Sequence, residues 1–178
     1  MSSDTPSLGF PPRGIGRVLV VGGMPASGLL PLPVPARHLP LDGVAPGARV
    51  SVRVLMELGR KVRQGSERLL ILTDRDLFLA ECSSLFGFAD SRTDSVIVST
   101  FFLKQNCNAD QLRRRVGNAI AHEIGHLEGI KHCRNTDCLM HPSESAAALD
   151  LRSFGFCGHC PVKLSRRFGR RIARLPEP

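Results

Sequence analysis

The sequence contains no tryptophan and no tyrosine, and its nine phenylalanines are its large aromatic side chains. The core must therefore be packed mainly from Leu, Val, Ile and Phe. No stretch approaches the ~20 apolar residues that a membrane-spanning helix requires, so we expect no membrane partner. The first residues, MSSDTPSLGFPPRG, lack the basic start and apolar stretch of a secretory signal. From these absences we expect a cytoplasmic protein.

Acidic residues are fewer than basic ones. The sequence has 16 Asp and Glu and 24 Lys and Arg, which gives a formal net charge of +8. Six of the basic residues lie in the tail, 161–178, beside the single acidic residue Glu177. A basic patch attracts nucleic acid or an acidic protein partner. The ordinary interpretation is a solvated helix face, which we favour here. Nothing in the sequence indicates an oligomeric state.

Length and composition are typical of one globular domain, or of one domain divided by a cleft: 178 residues, 42% hydrophobic and 22% charged. Six cysteines are present, and four of them form two close pairs near the C-terminus. Without an export signal, metal ligation explains these pairs better than disulfide bonds.

The hydrophobic pattern predicts strands that alternate with loops and helices. We expect residues 1–14 to be disordered and residues 16–22 to form a short buried strand. Residues 23–47 hold six of the thirteen prolines, so they are predicted as an extended loop without regular structure. Further strands are predicted at 68–73, at 95–102 and around Leu85 to Ala89.

Three helices are predicted. The first spans 46–64, with an apolar face at every fourth position: Val50, Val54, Leu58 and Val62. The second follows Asn108, where Gln111 completes a capping box, and runs to about Gly129. The third lies in the tail and carries Leu164, Phe168, Ile172 and Leu175 on one face. This order of elements predicts an α+β or α/β layout with a mixed sheet.

The strongest functional signal is the motif HEIGHLEGIKH at residues 122–132, which begins inside the second predicted helix. Residues four apart share a helical face, so His122 and His126 can bind one metal ion. Glu123 is rotated by about 100° around the helix axis from the first histidine. It can therefore reach a water on the metal without being a ligand.

The third histidine can join the other two only if the helix ends before it. In a continuous helix His132 would lie about 15 Å along the axis from His122. Gly129 adopts a positive φ without steric strain and permits the turn that folds the chain back. The spacing therefore predicts a three-histidine zinc site with an open fourth position. There zinc would lower the pKa of a water, and Glu123 would act as general base and then acid in peptide hydrolysis.

HEIGHLEGIKH followed by Met140 resembles the metzincin clan of zinc peptidases. The continuation, Cys133-RNTD-Cys138 and then CGHC sixteen residues after the methionine, is similar to the archaemetzincins, also called archaelysins. The resemblance implies a zinc metallopeptidase with a metzincin-like α+β fold. Its N-terminal lobe, 15–129, would hold a mixed twisted sheet and two helices, the second being the active-site helix. Its C-terminal lobe, 130–178, would be zinc-stabilised and end in a basic helix.

The same resemblance implies particular roles for residues after the helix. Met140 corresponds to the methionine of the turn beneath the catalytic metal. A second, structural zinc, making two per chain, would be bound by Cys133, Cys138, Cys157 and Cys160. Two close cysteine pairs suit a closed tetrahedral thiolate site. Because His132 and Cys133 are adjacent, this second zinc would pin the segment that carries the third catalytic ligand.

The resemblance also implies a substrate-binding edge strand formed by Leu85, Phe86, Gly87, Phe88 and Ala89, an ordinary loop or strand being the alternative. The expected partner is a peptide or an unfolded protein segment. The absence of tyrosine excludes a tyrosine ligand or oxyanion stabiliser.

Two other functions stay open: a narrow-specificity aminopeptidase, and a zinc-stabilised binding module for nucleic acid or an acidic partner with a vestigial or latent active site. The presence of Glu123 favours an enzyme, because binding alone does not require this carboxylate.

Overall fold

A computed structural model of the chain describes residues 15–22, 29, 36–39, 45, 48–63, 65, 68–80, 82–143, 145–151 and 155–160. The expected disorder of residues 1–14 and the expected tail helix with Leu164, Phe168, Ile172 and Leu175 lie outside these residues. Among the helices that are described, none combines the length and the apolar character needed to cross a bilayer.

The described residues form eight strands and three helices. The strands are β1 (Ile15–Val21), β2 (Ala36–Leu39), β3 (Arg49–Ser51), β4 (Arg68–Thr73), β5 (Asp76–Leu79), β6 (Cys82–Leu85), β7 (Gly87–Asp90) and β8 (Ser95–Ser99). The helices are α1 (Val52–Val62), α2 (Ala109–Leu127) and α3 (Ala146–Asp150).

Five strands form the main sheet, in the order β2-β1-β4-β8-β7. The first four are mutually parallel, and β7 pairs with β8 in the antiparallel direction. The smaller sheet, β3-β5-β6, pairs β3 with β5 in parallel and β5 with β6 antiparallel. The predicted α+β fold with a mixed sheet is confirmed.

The main sheet is covered by a helix on each face, which explains why β4 reads as the continuous apolar run RLLILT. Alternate residues of a strand point to opposite faces. Leu70 and Leu72 accordingly pack in one cluster with α2, whereas Leu69 and Ile71 pack in the other with α1. α2 therefore covers one face of the main sheet, where it contacts β7 and β8.

The first predicted helix was wrong at its start and in its buried face. Residues 49–51 pair with β5 as β3, and the side chain of Ser51 caps α1 by accepting a hydrogen bond from the Arg53 amide. The buried helical residues are Val52, Leu55, Met56 and Gly59, whereas Val54 is 52% exposed. A series at every fourth position drifts by about 40° per step around a helix, so it leaves the buried stripe.

The second predicted helix is confirmed as α2, together with its cap. The Asn108 side chain accepts from the Gln111 amide at 2.9 Å, and the Gln111 side chain accepts from the Asn108 amide at 3.0 Å. The strand predicted around Leu85 to Ala89 is divided in the structure, because Leu85 ends β6, Phe86 lies between the strands, and β7 begins at Gly87. The strand predicted at 95–102 ends at Ser99, where a turn begins.

Besides β3, four short elements were not predicted: β2, β5, β6 and α3. β2 lies inside the proline-rich stretch, where pairing with the edge of β1 supplies its backbone hydrogen bonds. β5 has the polar start of a turn but pairs on both sides, with β3 and β6. α3 spans five residues, is capped by Ser145, and packs Leu149 into the core beside α2.

Candidate active site

The second half of α2 brings His122 and His126 to one face, with their Nε2 atoms 3.1 Å apart. Each ring is oriented through its other nitrogen, which donates to a backbone carbonyl: His122 Nδ1 to Leu139 at 2.8 Å, and His126 Nδ1 to Ile130 at 2.9 Å. Because a carbonyl oxygen accepts and cannot donate, each Nδ1 carries the proton and each neutral ring keeps its Nε2 lone pair. Two lone pairs at this separation repel unless a cation lies between them.

The helix ends in the turn that the sequence predicts. Gly129 has φ of +80°, its amide donates to the His126 carbonyl at 2.9 Å, and the Ile130 amide donates to the Gly125 carbonyl at 2.9 Å. This pair of hydrogen bonds is a Schellman motif, which closes a helix and redirects the chain. The turn returns His132 to the first two rings, with centroids 5.3 Å from His122 and 4.8 Å from His126.

The three imidazoles fit a zinc ion. One nitrogen of each lies within 4.8 Å of the other two. With Zn–N bonds of about 2.0–2.1 Å, two tetrahedral ligand nitrogens lie about 3.3–3.4 Å apart. The 3.1 Å between the Nε2 atoms of His122 and His126 is close to this value. Burial lowers the pKa of His126, which favours the neutral ring that a metal requires.

Glu123 lines the same cleft as the histidines but lies outside the group of nitrogens that converge. Its side chain packs against the backbone of Gly87, where a Cβ atom would be 2.8 Å from both Cγ and Oε1 of Glu123. This burial raises the pKa of Glu123 to about 8. The carboxyl group can therefore hold a proton at neutral pH, and a nearby cation would favour its release.

Met140 lies directly beneath the helix that carries the histidines. Its side chain is fully buried, and a Cβ on Gly125 would collide with its sulfur atom. The glycine inside His-Glu-Ile-Gly-His is therefore needed for this packing. Sequence reasoning missed the role of Gly125, although a small residue inside the motif was its signal.

The four paired cysteines also converge. Cys133 Sγ and Cys157 Sγ are 3.6 Å apart, Cys138 Sγ and Cys160 Sγ are 3.6 Å apart, and Cys157 Sγ and Cys160 Sγ are 3.7 Å apart. A disulfide requires about 2.0 Å. Four sulfurs around one zinc at about 2.3 Å lie about 3.8 Å from one another, which these distances approach.

The electrostatics of this cluster favour ligation. Although burial acts to raise the pKa of Cys157, hydrogen bonds from the amides of His159 and Cys160 bring it to about 6. This cysteine therefore forms a thiolate readily. Burial raises the pKa values of Cys138 and Cys160, so these buried thiolates require a cation to offset their charge.

The cysteine cluster and the histidine cluster share structural supports. The side chain of Ile130 packs with Cys138, Met140 and Cys160, while its carbonyl orients the ring of His126. Leu139, the residue after Cys138 in the same loop, supplies the carbonyl that orients the ring of His122. Both helical histidines are thus oriented by backbone groups that the cysteine cluster holds in place.

A cleft of about 690 Å³ opens above the histidines. Its lining comes from β7, from α2, and from five described residues after the histidine motif: Pro142, Ser143, Ser145, Ala146 and Leu149. β7 stands at the edge of the main sheet. All five residues of the predicted substrate strand line this cleft: Leu85, Phe86, Gly87, Phe88 and Ala89.

Residues 55–166 match the sequence profile of peptidase family M54. The chain belongs to this family. The resemblance to archaemetzincins, drawn above from the histidine motif and the cysteine pairs, is therefore confirmed.

Several archaemetzincins are similar to this M54 chain. That of Haloarcula marismortui is 30% identical over 113 residues, which cover 59% of this chain and 65% of that protein. That of Thermococcus kodakarensis is 32% identical over 117 residues, or 63% of this chain and 62% of that protein. The chain thus matches less than two thirds of the length of either relative. The solved archaemetzincin from Methanopyrus kandleri superimposes with a TM-score of 0.72 at 26% identity, covering 90% of this chain and all of that one.

The M54 chain brings together every group of residues that the sequence predicted to act jointly: the three histidines, the four cysteines, and Met140 beneath the helix. The sequence did not predict the hydrogen-bond partners of the two helical histidines, which are the carbonyls of Leu139 and Ile130. Backbone carbonyls carry no sequence signature, so only the fold reveals them.

Proposed function

We propose that this M54 chain is a zinc metallopeptidase that hydrolyses peptide bonds, with Glu123 as general base and then general acid. One observation carries the proposal. The Nδ1 atoms of His122 and His126 bond backbone carbonyls, so their Nε2 atoms, 3.1 Å apart, are the nitrogens that lie toward a shared metal position beside the ring of His132, and Glu123 lines the same cleft.

In this proposal the three histidines hold a catalytic zinc, and the four cysteines hold a structural one. A bound zinc polarises the substrate carbonyl and lowers the pKa of a water. Glu123 accepts a proton from the attacking water and delivers it to the leaving amine. The buried position under Gly87 supports both roles, because a carboxyl group with a raised pKa exchanges protons near neutral pH.

The substrate would be an extended peptide paired along β7. Edge strands bind peptides through backbone hydrogen bonds, and side chains then enter flanking pockets. Phe102, Ala119 and Leu149 give the cleft a largely apolar lining, and solved relatives include a zinc-dependent peptidase from Methanocorpusculum labreanum. The cleft would separate an N-terminal lobe, 15–129, from a C-terminal lobe, 130–178.

The decisive experiment compares zinc content and cleavage of a peptide library for the wild type, Glu123→Ala and the control Glu57→Ala. Glu57 is an exposed carboxylate on α1, paired with Arg60. All three proteins should contain two zinc ions per chain. Glu123→Ala should lose about 10²- to 10⁴-fold in turnover, the usual contribution of general acid–base catalysis, and the control should not.

Full turnover of Glu123→Ala would contradict the proposed mechanism, and a zinc-loaded wild type that cleaves no peptide would contradict the proposed activity. The binding-module alternative rests on the basic tail, 161–178, which lies outside the described residues. Nucleic-acid binding that depends on this tail, combined with absent cleavage, would favour that alternative.

A further inference from the structure

A buried ion pair stands at the end of the active-site helix. Arg68 and Glu128 are 6% and 8% exposed, and Arg68 Nη2 lies 2.8 Å from Glu128 Oε1. A second carboxylate holds the same guanidinium from the other side, since Arg68 Nε lies 2.9 Å from Asp94 Oδ1. Arg68 is the first residue of β4, the central strand of the main sheet, and Glu128 is the residue that caps α2.

Stability alone does not explain this pair. Removing two charges from water is costly, and well-packed apolar residues at such positions are often equally stable. A carboxylate at the C-terminal end of a helix is also disfavoured by the helix dipole. What a buried ion pair can provide is a fixed geometry, because both charges must keep their partners.

The geometry fixed here is that of the turn. Glu128 directly precedes Gly129, whose positive φ reverses the chain. Ile130, the residue after Gly129, orients the ring of His126 through its carbonyl, and His132 follows two residues later. A shift of Glu128 away from β4 would therefore rotate the turn and move two of the three imidazoles relative to His122.

We infer that Arg68 and Glu128 are positioning residues for the three-histidine metal site, which lock the end of α2 to the sheet so that the turn delivers His132 to the other two rings. The inference rests on the metal-binding part of the proposed function. It does not depend on catalysis, and its test does not use activity.

The test measures zinc affinity at each site by competition with a chelator, for the wild type, Glu128→Gln, Glu128→Ala and Arg68→Lys. Cobalt substitution distinguishes the sites, because thiolate-to-cobalt charge-transfer bands arise only from the cysteines, and nitrogen-ligated and thiolate-ligated tetrahedral cobalt give ligand-field bands at different wavelengths. Supporting groups of metal ligands are typically worth 10- to 100-fold in affinity. We expect a loss of that size at the histidines in Glu128→Ala, a smaller loss in Glu128→Gln and Arg68→Lys, and unchanged affinity at the cysteines.

Asp150→Asn is the matched control, because it breaks another arginine–carboxylate pair, one that joins α2 to α3. Arg115 is 3% exposed and bonds Asp150 at 2.6 Å and 2.9 Å, near the opposite end of α2. This variant should lose thermal stability and keep wild-type zinc affinity at the histidines.

Three results would overturn the inference. Wild-type zinc affinity at the histidines of Glu128→Ala would contradict the inference and leave the proposed function intact. An equal loss of histidine-site affinity in Asp150→Asn would show that general destabilisation, not positioning, lowers affinity. If the wild-type chain binds metal only at its cysteines, both this inference and the proposed function are wrong. Because Glu128→Gln and Arg68→Lys preserve size and polarity, they keep the test decisive if Glu128→Ala does not fold.

Discussion

Replacing Gly87 by alanine should disable Glu123 without touching a metal ligand. The added Cβ would lie 2.8 Å from Glu123 Cγ and Oε1, and 2.9 Å from the carbonyl oxygen of Ile97. Ordinary contact begins at 3.4–4 Å. The Glu123 side chain can withdraw from the added methyl group, whereas the Ile97 carbonyl is backbone of β8, so the chain at Gly87 must also move slightly away from β8. We estimate a displacement of the Glu123 side chain of about 0.6–1.2 Å.

A misplacement of about 1 Å at a catalytic group costs on the order of 10²-fold in rate. At 1.36 kcal/mol for each factor of ten, this corresponds to about 2.7 kcal/mol of lost transition-state stabilisation. We therefore expect kcat/KM of Gly87→Ala to fall about 10²-fold while the protein keeps its zinc. Gly155→Ala is the control, because nothing lies within 4 Å of a Cβ at that position.

The assay pairs peptide hydrolysis with zinc analysis of each variant. Because Gly87 also lies in the proposed substrate strand, peptide affinity should be measured separately in a Glu123→Ala background. There the additional Gly87→Ala change should alter peptide affinity little. A zinc-loaded Gly87→Ala protein with wild-type kcat/KM would contradict the predicted displacement of Glu123. A rate loss explained wholly by weaker peptide binding would contradict it as well.

Three further predictions concern the metal sites and the cleft. Cys157→Ser should lower zinc affinity at the histidines as well as stability, because Ile130 packs in the cysteine cluster and orients His126; an unchanged metal content at the histidines would refute this coupling. Burial keeps Glu123 protonated below about pH 8, and a bound cation would expel that proton. Zinc affinity at the histidines should therefore rise more steeply with pH, from about 6 to 8, in the wild type than in Glu123→Gln; chelator competition giving equal slopes would contradict this. Peptides that carry backbone N-methyl groups next to the cleaved bond should show a raised KM if they pair with β7, and an unaltered KM would exclude such pairing.

The parts of the site that the sequence predicted depend on local geometry. Four-residue spacing fixes the common face of His122 and His126, and Gly129 marks the only turn that brings His132 back. The capping box at Asn108 is equally local, since both partners lie within three residues. Such features need no knowledge of the rest of the fold.

The parts that were missed depend on distant partners. β2 exists because β1 offers an edge, and the buried face of α1 follows from the pairing of β3 with β5. The ion pair of Arg68 with Glu128 joins residues 60 positions apart. A charged residue on a helix is normally solvated, so nothing in the sequence indicated that Glu128 is buried.

Anomalous diffraction at the zinc absorption edge, from crystals of the full chain, locates both proposed zinc ions directly. The two-zinc proposal predicts two peaks. One should lie about 2.0–2.1 Å from a ring nitrogen of each of His122, His126 and His132, and the other about 2.3 Å from the sulfurs of the four paired cysteines. A single peak at the cysteines, or a second zinc held without His132, would contradict it.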